Sequence, residues 1–284
     1  MPRRWSTAIT AVALAVAALA CEGSGPGEPS PDPSRSRPAR SASMAALGDS
    51  ITTGYGSCVA LVSCPRNSWS TGTGTRVNSL YERLADTDAD RRLTAHNEAA
   101  PGSRVAALPD QASGAVRHKA DYVTVLIGAN DACRPTIQEM TSVATFRAEL
   151  TQAFQVLRKG RPKARVLVVS IPDLHRLWEV GRTDRLAVRV WSHGVCPALL
   201  ANPTSTATVD VRRRAAFAAR IDAYNRELAA ACERYGPRCT YDGGAAHRIP
   251  VTLDKVNPLD FFHPDADGQN ALAAAAWAAW RRAL

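Results

Sequence analysis

Two kinds of hydrophobic pattern alternate along most of this chain. Short runs dense in aliphatic and β-branched residues fall at 43–47, 93–97, 122–127 (YVTVLI) and 165–170 (RVLVVS), with a weaker one at 239–241. Longer stretches that read as helices separate them, at 105–119, 142–159, 209–233 and 267–284. The runs at 122–127 and 165–170 are continuously apolar rather than alternating, as a strand covered on both faces requires. Strands alternating with helices over about 240 residues predict one α/β domain built on a parallel sheet. No internal repeat is visible.

Residues 8–20 differ from all of these. They form an apolar run broken only by Thr10 and preceded by Arg3 and Arg4. The run is short for a bilayer span but has the length of a signal-peptide core. Its end, Ala18-Leu19-Ala20-Cys21, allows two readings. Ala18 and Ala20 satisfy the small-residue rule for ordinary signal cleavage, and the tetrapeptide also resembles a bacterial lipobox, whose cysteine becomes a lipidated N-terminus. The chain has seven cysteines, and setting Cys21 aside leaves six for three disulfides. Proximity in sequence pairs Cys58 with Cys64 and Cys232 with Cys239, which leaves Cys133 with Cys196, one of fifteen possible connectivities. Residues 22–43, rich in Pro, Ser and Gly, read as a flexible tether. The expected organisation is therefore a signal peptide over 1–20, lipidated Cys21 with its tether over 21–43, and one domain over 44–284. Such a protein is extracellular, anchored to the membrane through Cys21 or else freely secreted.

Composition removes several function classes. A chain 45% hydrophobic and 21% charged is neither disordered throughout nor collagen-like. The 35 Lys and Arg outnumber 26 Asp and Glu, a net charge of +9. No basic block exceeds Arg212-Arg213-Arg214, so no nucleic-acid surface is expected. There is no Cys-x-x-Cys pair and the histidines are scattered, so no metal site is expected either.

The informative residues sit where strands end. The first, second and third runs lead into Gly48-Asp49-Ser50, Asn97 to Gly102, and Gly128-Ala129-Asn130-Asp131. In an open parallel sheet the carboxyl ends of the strands line the ligand crevice, so these turns gather on one edge. Near the C-terminus, Asp260 and His263 precede a helix that Asp265 or Asp267 could cap. Their spacing puts carboxylate and imidazole on one side of a turn. Together these are the parts for acyl transfer: Ser50 as nucleophile, His263 as general base and then acid, and Asp260 to orient the imidazole. The backbone N–H groups of Ser50 and Gly102 and the amide of Asn130 would hold the oxyanion.

These segments resemble the four blocks of the SGNH hydrolases, the GDSL-type esterase and lipase superfamily. The first block matches Ala46-Leu47-Gly48-Asp49-Ser50-Ile51, with Ile where the family usually has Leu. The second is similar to Asn97-Glu98-Ala99-Ala100-Pro101-Gly102, the third to Ile127-Gly128-Ala129-Asn130-Asp131, and the last to Asp260-Phe261-Phe262-His263-Pro264. A Gly-Asp-Ser triplet alone is common, but four blocks in order are specific. Asn130-Asp131-Ala132-Cys133 and Asn67 to Gly72 further resemble secreted actinobacterial hydrolases and the phospholipase B-like branch. The resemblance implies a flavodoxin-like three-layer α/β/α sandwich with strand order 2-1-3-4-5. It also implies metal-independent ester hydrolysis by a shallow, adaptable site; a monomer without cofactor, acting on a small-molecule or lipid ester, is expected. Acyl lipid or phospholipid esters lead as substrates. A carbohydrate acetyl esterase is the alternative, and a catalytically silent surface-binding lipoprotein a more distant one.

Other residues have plainer roles. Asp131 is assigned to structure, and His96, His118, His175, His193 and His247 to surface or core. Residues 171–203 are long for a connection and could shape the pocket, with Trp69, Trp178 and Trp191 either lining an acyl site or packing the core. Arg176, Arg182, Arg185 and Arg189 read as a solvated basic face.

Overall fold

A computed structural model describes residues 40–88 and 91–284. The expected signal peptide, Cys21 and the tether as far as residue 39 lie outside the described residues. One sheet of five parallel strands carries the domain, in the order β2-β1-β3-β4-β5. The strands are β1 (Arg40–Gly48), β2 (Arg91–Asn97), β3 (Tyr122–Leu126), β4 (Arg165–Val168) and β5 (Cys239–Tyr241).

Alternate residues of each strand feed different layers. Ala45, Leu47, Val123, Val125, Val166 and Val168 join one core with α2 (Leu108–Arg117), α4 (Val143–Gly160) and α8 (Thr208–Tyr235). Met44, Leu126, Leu167 and Val169 join the other, under α1 (Leu80–Asp86) and α9 (Ala266–Trp280). Burial on both faces is why these runs lack polar alternation. Among the described residues no helix is long and apolar enough to cross a membrane.

Boundaries depart from the sequence expectation where the backbone, not hydrophobicity, decides. β1 begins at Arg40, because Arg40 to Ala42 pair with Arg91 to Leu93; residues 40–43 thus belong to the sheet rather than the tether. Residues 105–107 form a 3₁₀ turn, and α2 starts at Leu108 with Pro109 in its first turn, where the missing N–H costs no hydrogen bond. Of the two candidate caps for α9, Asp265 accepts the Gly268 N–H at 2.8 Å.

The segment 171–203 is not an open loop. It folds into α5 (Leu174–Gly181), α6 (Arg185–Trp191) and α7 (Pro197–Leu200), the first two N-capped by Asp173 and Asp184. None reaches three turns, too short for a periodic signal in sequence. A Cβ on Gly181 would lie 2.2 Å from the Trp191 ring, so only glycine lets α5 and α6 close this tightly. Cys133, at the end of the short helix α3 (Ala129–Ala132), is bonded to Cys196 at the start of α7. Cys58 is bonded to Cys64, and Cys232 in α8 to Cys239 in β5.

Candidate active site

The carboxyl edge of the sheet collects Ser50 after β1, Gly102 after β2 and Asn130 after β3, while the loop before α9 brings in Asp260 and His263. Ser50 Oγ lies 2.9 Å from His263 Nε2, and His263 Nδ1 lies 2.6 Å from Asp260 Oδ2. An ionised carboxylate can only accept, so Nδ1 carries the hydrogen and Nε2 is left to accept the serine hydroxyl. Asp260 and Ser50 are both buried. The other Asp260 oxygen accepts the N–H groups of Phe262 at 2.8 Å and His263 at 3.0 Å. Tyr55 packs on the imidazole with ring centroids 4.7 Å apart.

The turn that presents Ser50 is held by residues far away in sequence. Gly48 has φ +154°, and a Cβ there would meet the Leu126 carbonyl oxygen at 2.3 Å, so the turn is open only to glycine. Buried Gln111, on α2, accepts the Gly48 N–H at 2.8 Å and donates to the Gly48 carbonyl at 3.0 Å. Gln269, fully buried on α9, donates to the Ile51 carbonyl at 2.9 Å and accepts the Trp69 N–H at 2.9 Å. Neither glutamine was singled out in the sequence. The available signal was a polar side chain on an otherwise apolar face, since such a group must find a partner when buried.

The second and third strand ends are linked in the same way. The Ala100 N–H donates to the Gly48 carbonyl at 3.3 Å, and Asn97 Nδ2 donates to the Thr52 carbonyl at 2.9 Å. Gly102 is exposed with φ +78°. Asn130 Nδ2 donates one hydrogen to the Ser103 carbonyl at 3.0 Å, which fixes the amide beside the Gly102 loop. Asp131 turns inward instead, accepting the Val105 N–H at 2.9 Å and the Thr141 hydroxyl at 2.7 Å. Burial pushes its carboxyl pKa up.

Asp49 is the unexpected member. It is fully buried, one oxygen accepts the Ile51 N–H at 3.0 Å, and the other has no hydrogen-bond partner among the described residues. Desolvation pushes its pKa up to about 7; the Ile51 bond and His263 pull it down, and Asp131 adds to the rise.

An open apolar groove runs from His263, lined by Ile51, Leu174, Leu177, Val251, Phe262 and Leu272. The tryptophans do not line it. Trp69 and Trp191 are buried in the core, with Trp191 Nε1 donating to the Phe261 carbonyl at 3.2 Å. Trp178 lies under the Arg214 guanidinium at 4.4 Å. The five other histidines do not join the Ser50 cluster: His96 stacks on His118, His175 lies tilted against Trp178, His193 bonds the Arg189 carbonyl and His247 the Ile171 carbonyl. Arg176 pairs with Glu179, while Arg182, Arg185 and Arg189 are exposed. No group of three or more His, Cys, Asp or Glu placed to hold a metal occurs among the described residues.

Comparison with known proteins bears on the chemistry. The profile of the GDSL-like lipase/acylhydrolase family matches residues 46–271. Among curated proteins no sequence matches the chain. The fold is similar to that of a Parabacteroides merdae protein described as a GDSL-like lipase, at TM-score 0.54 and 17% identity, covering 84% of this chain and 95% of that one. It is also similar to an extracellular lipase of Streptomyces rimosus, at TM-score 0.51 and 19% identity, over 84% and 99%. A two-domain esterase active on acetylated mannans matches at TM-score 0.52 and 15% identity, over 86% of this chain and 50% of that one.

Proposed function

This chain belongs to the GDSL-like lipase/acylhydrolase family and is a carboxylic ester hydrolase, and from that premise we propose that it cleaves acyl lipid esters outside the cytoplasm with Ser50 as its nucleophile. The observation that carries this reading is the continuous chain from Ser50 Oγ to His263 at 2.9 Å and on to Asp260 at 2.6 Å. In the proposed mechanism Ser50 Oγ attacks the ester carbonyl carbon while its proton passes to His263 Nε2. The carbonyl oxygen becomes an oxyanion, received by the N–H groups of Ser50 and Gly102 and the remaining amide hydrogen of Asn130. Collapse expels the alcohol, which takes the proton from His263 and leaves an acyl-serine. Water, deprotonated by the same imidazole, then releases the acid and restores Ser50. Asp260 holds the imidazole in the required tautomer and stabilises its cation.

The apolar groove beside His263 supports an acyl chain rather than an acetylated sugar, which would bring hydroxyls needing polar partners. Three disulfides support export to an oxidising compartment, with Cys21 proposed as the lipid anchor and residues 21–39 as the tether. The secreted, phospholipase B-like branch is proposed from the Asn130-Asp131-Ala132-Cys133 sequence.

Hydrolysis of p-nitrophenyl esters from acetate to palmitate, with wild type and Ser50→Ala in parallel, tests the reading. Turnover that peaks at eight carbons or longer and falls by about 10⁴-fold or more in Ser50→Ala is expected. Turnover surviving the substitution would reject Ser50, and an acetate optimum would move the substrate to acetylated carbohydrate.

A further inference from the structure

Four consecutive apolar residues, Val59-Ala60-Leu61-Val62, stand exposed in the loop closed by Cys58 and Cys64. Val59 is 67% exposed, Leu61 37% and Val62 56%, and Leu259, on the His263 loop, is 52% exposed. A soluble surface does not keep an exposed apolar run of this length without a use for it. Nor is the run a slack loop. The Gly56 N–H donates to the Val62 carbonyl at 3.0 Å and the Cys64 N–H to the Thr53 carbonyl at 3.2 Å. Val59 sits at φ +79°, a left-handed conformation unfavourable for a β-branched residue, and must be held there.

Asn257 does the holding, and it joins the loop to the active site. Fully buried, it donates through Nδ2 to the carbonyls of Gly56 at 2.5 Å and Val59 at 2.7 Å, and through its backbone N–H to the His263 carbonyl at 2.8 Å. Its Oδ1 accepts the Leu259 N–H at 2.7 Å. One residue thus ties the exposed run and Leu259 to the residue that contacts Ser50. Exposed Arg66 reaches back to Cys58 Sγ at 3.4 Å, which sets a cation beside the run, on a chain of net charge +9.

We propose that Val59 to Val62, with Leu259 and Arg66, form a rigid docking rim by which the enzyme seats its active-site mouth on an anionic lipid surface. The inference rests on the reading of the Ser50 site as one for lipid esters. Apolar side chains entering the headgroup boundary beside a cation are the chemistry of a peripheral membrane contact. A rim prebuilt by a disulfide and Asn257 loses little freedom on docking.

Co-sedimentation with phosphatidylglycerol and phosphatidylcholine vesicles tests it, using the chain from residue 21 onward with Cys21→Ser, so that neither the apolar run at 8–20 nor an acyl anchor contributes. The wild-type rim should bind phosphatidylglycerol vesicles more tightly than phosphatidylcholine, and Leu61→Ser/Val62→Ser should weaken that binding by about tenfold or more. Turnover of soluble p-nitrophenyl butyrate should stay within about twofold in the double variant, since neither side chain contacts the reacting groups. Equal binding by variant and wild type, or no vesicle binding by either, overturns the proposal. So does a wild-type dimer in sedimentation velocity that the substitutions convert to monomer, since the rim would then seat a second copy. Soluble-ester turnover persisting in Ser50→Ala would reject the site reading separately, and the vesicle comparison would still judge the rim.

Discussion

Asp260 grips His263 with both carboxylate oxygens: Oδ2 meets the imidazole Nδ1 at 2.6 Å, and Oδ1 accepts the backbone N–H of the same residue at 3.0 Å. Phe261, between them, has φ +50°, and its carbonyl accepts Trp191 Nε1–H at 3.2 Å. The loop is therefore folded back on itself and pinned to the core. In Asp260→Asn, the amide oxygen would keep the two backbone N–H groups and its NH₂ would face Nδ1. That would force the hydrogen onto Nε2, where it would block the proposed proton transfer from Ser50. The expected result is a fall in kcat of about 10⁴-fold with little change in Tm, read by steady-state kinetics and thermal denaturation.

Asn130 offers a different signature. One of its amide hydrogens is committed to the Ser103 carbonyl, which leaves the other for the proposed role of receiving charge that develops only after attack. Asn130→Ala should lower kcat by about 10²–10³-fold and leave KM nearly unchanged. A KM effect alone would show that the amide shapes the Gly102 loop and does not serve the transition state.

Gln111 acts through Gly48. Gln111→Leu would leave the Gly48 N–H without its partner in the core, at about 1–3 kcal/mol, while the Gly48 carbonyl would lose one of two donors and keep the Ala100 N–H. Urea unfolding should register the loss, and kcat should fall with it because the turn carrying Ser50 is no longer clamped. Unchanged stability with unchanged kcat would remove Gln111 from any positioning role.

Burial gives Asp49 a pH signature. Its pKa is about 7 in the folded chain against 3.8 in the unfolded one, so the folded state binds the extra proton between those values. Stability therefore falls as pH rises from about 4 towards about 7, then levels off. Asp49→Asn has no such proton to lose, and its Tm should decline less than that of wild type between pH 5 and pH 8. Identical slopes in differential scanning calorimetry would mean that the carboxyl ionises freely where it stands.

The α/β class and the parallel character of the sheet were legible in the sequence, because runs such as Tyr122 to Leu126 declare their own burial on both faces, whereas the strand order 2-1-3-4-5 was implied only by the family resemblance. The candidate blocks were legible too: a turn after a strand needs glycines at set positions, and Ser50, Asn97 to Gly102 and Asn130 follow their strands directly. The short helices α5 and α6 were not, since fewer than three turns leave no periodic trace. Only the folded chain decided that Trp69 and Trp191 pack the core, that β1 starts at Arg40, and that Asp265 caps α9. It alone decided that Asn257 ties an exposed apolar loop to His263, and that Gln111 and Gln269 clamp the Ser50 turn. The physical reason is range. Propensity, capping and hydrophobic period act within a few residues, whereas Gln269 and Ile51 meet across 218 positions. The burial of Asp49, like the partner of a buried glutamine, is a property of the packed layers.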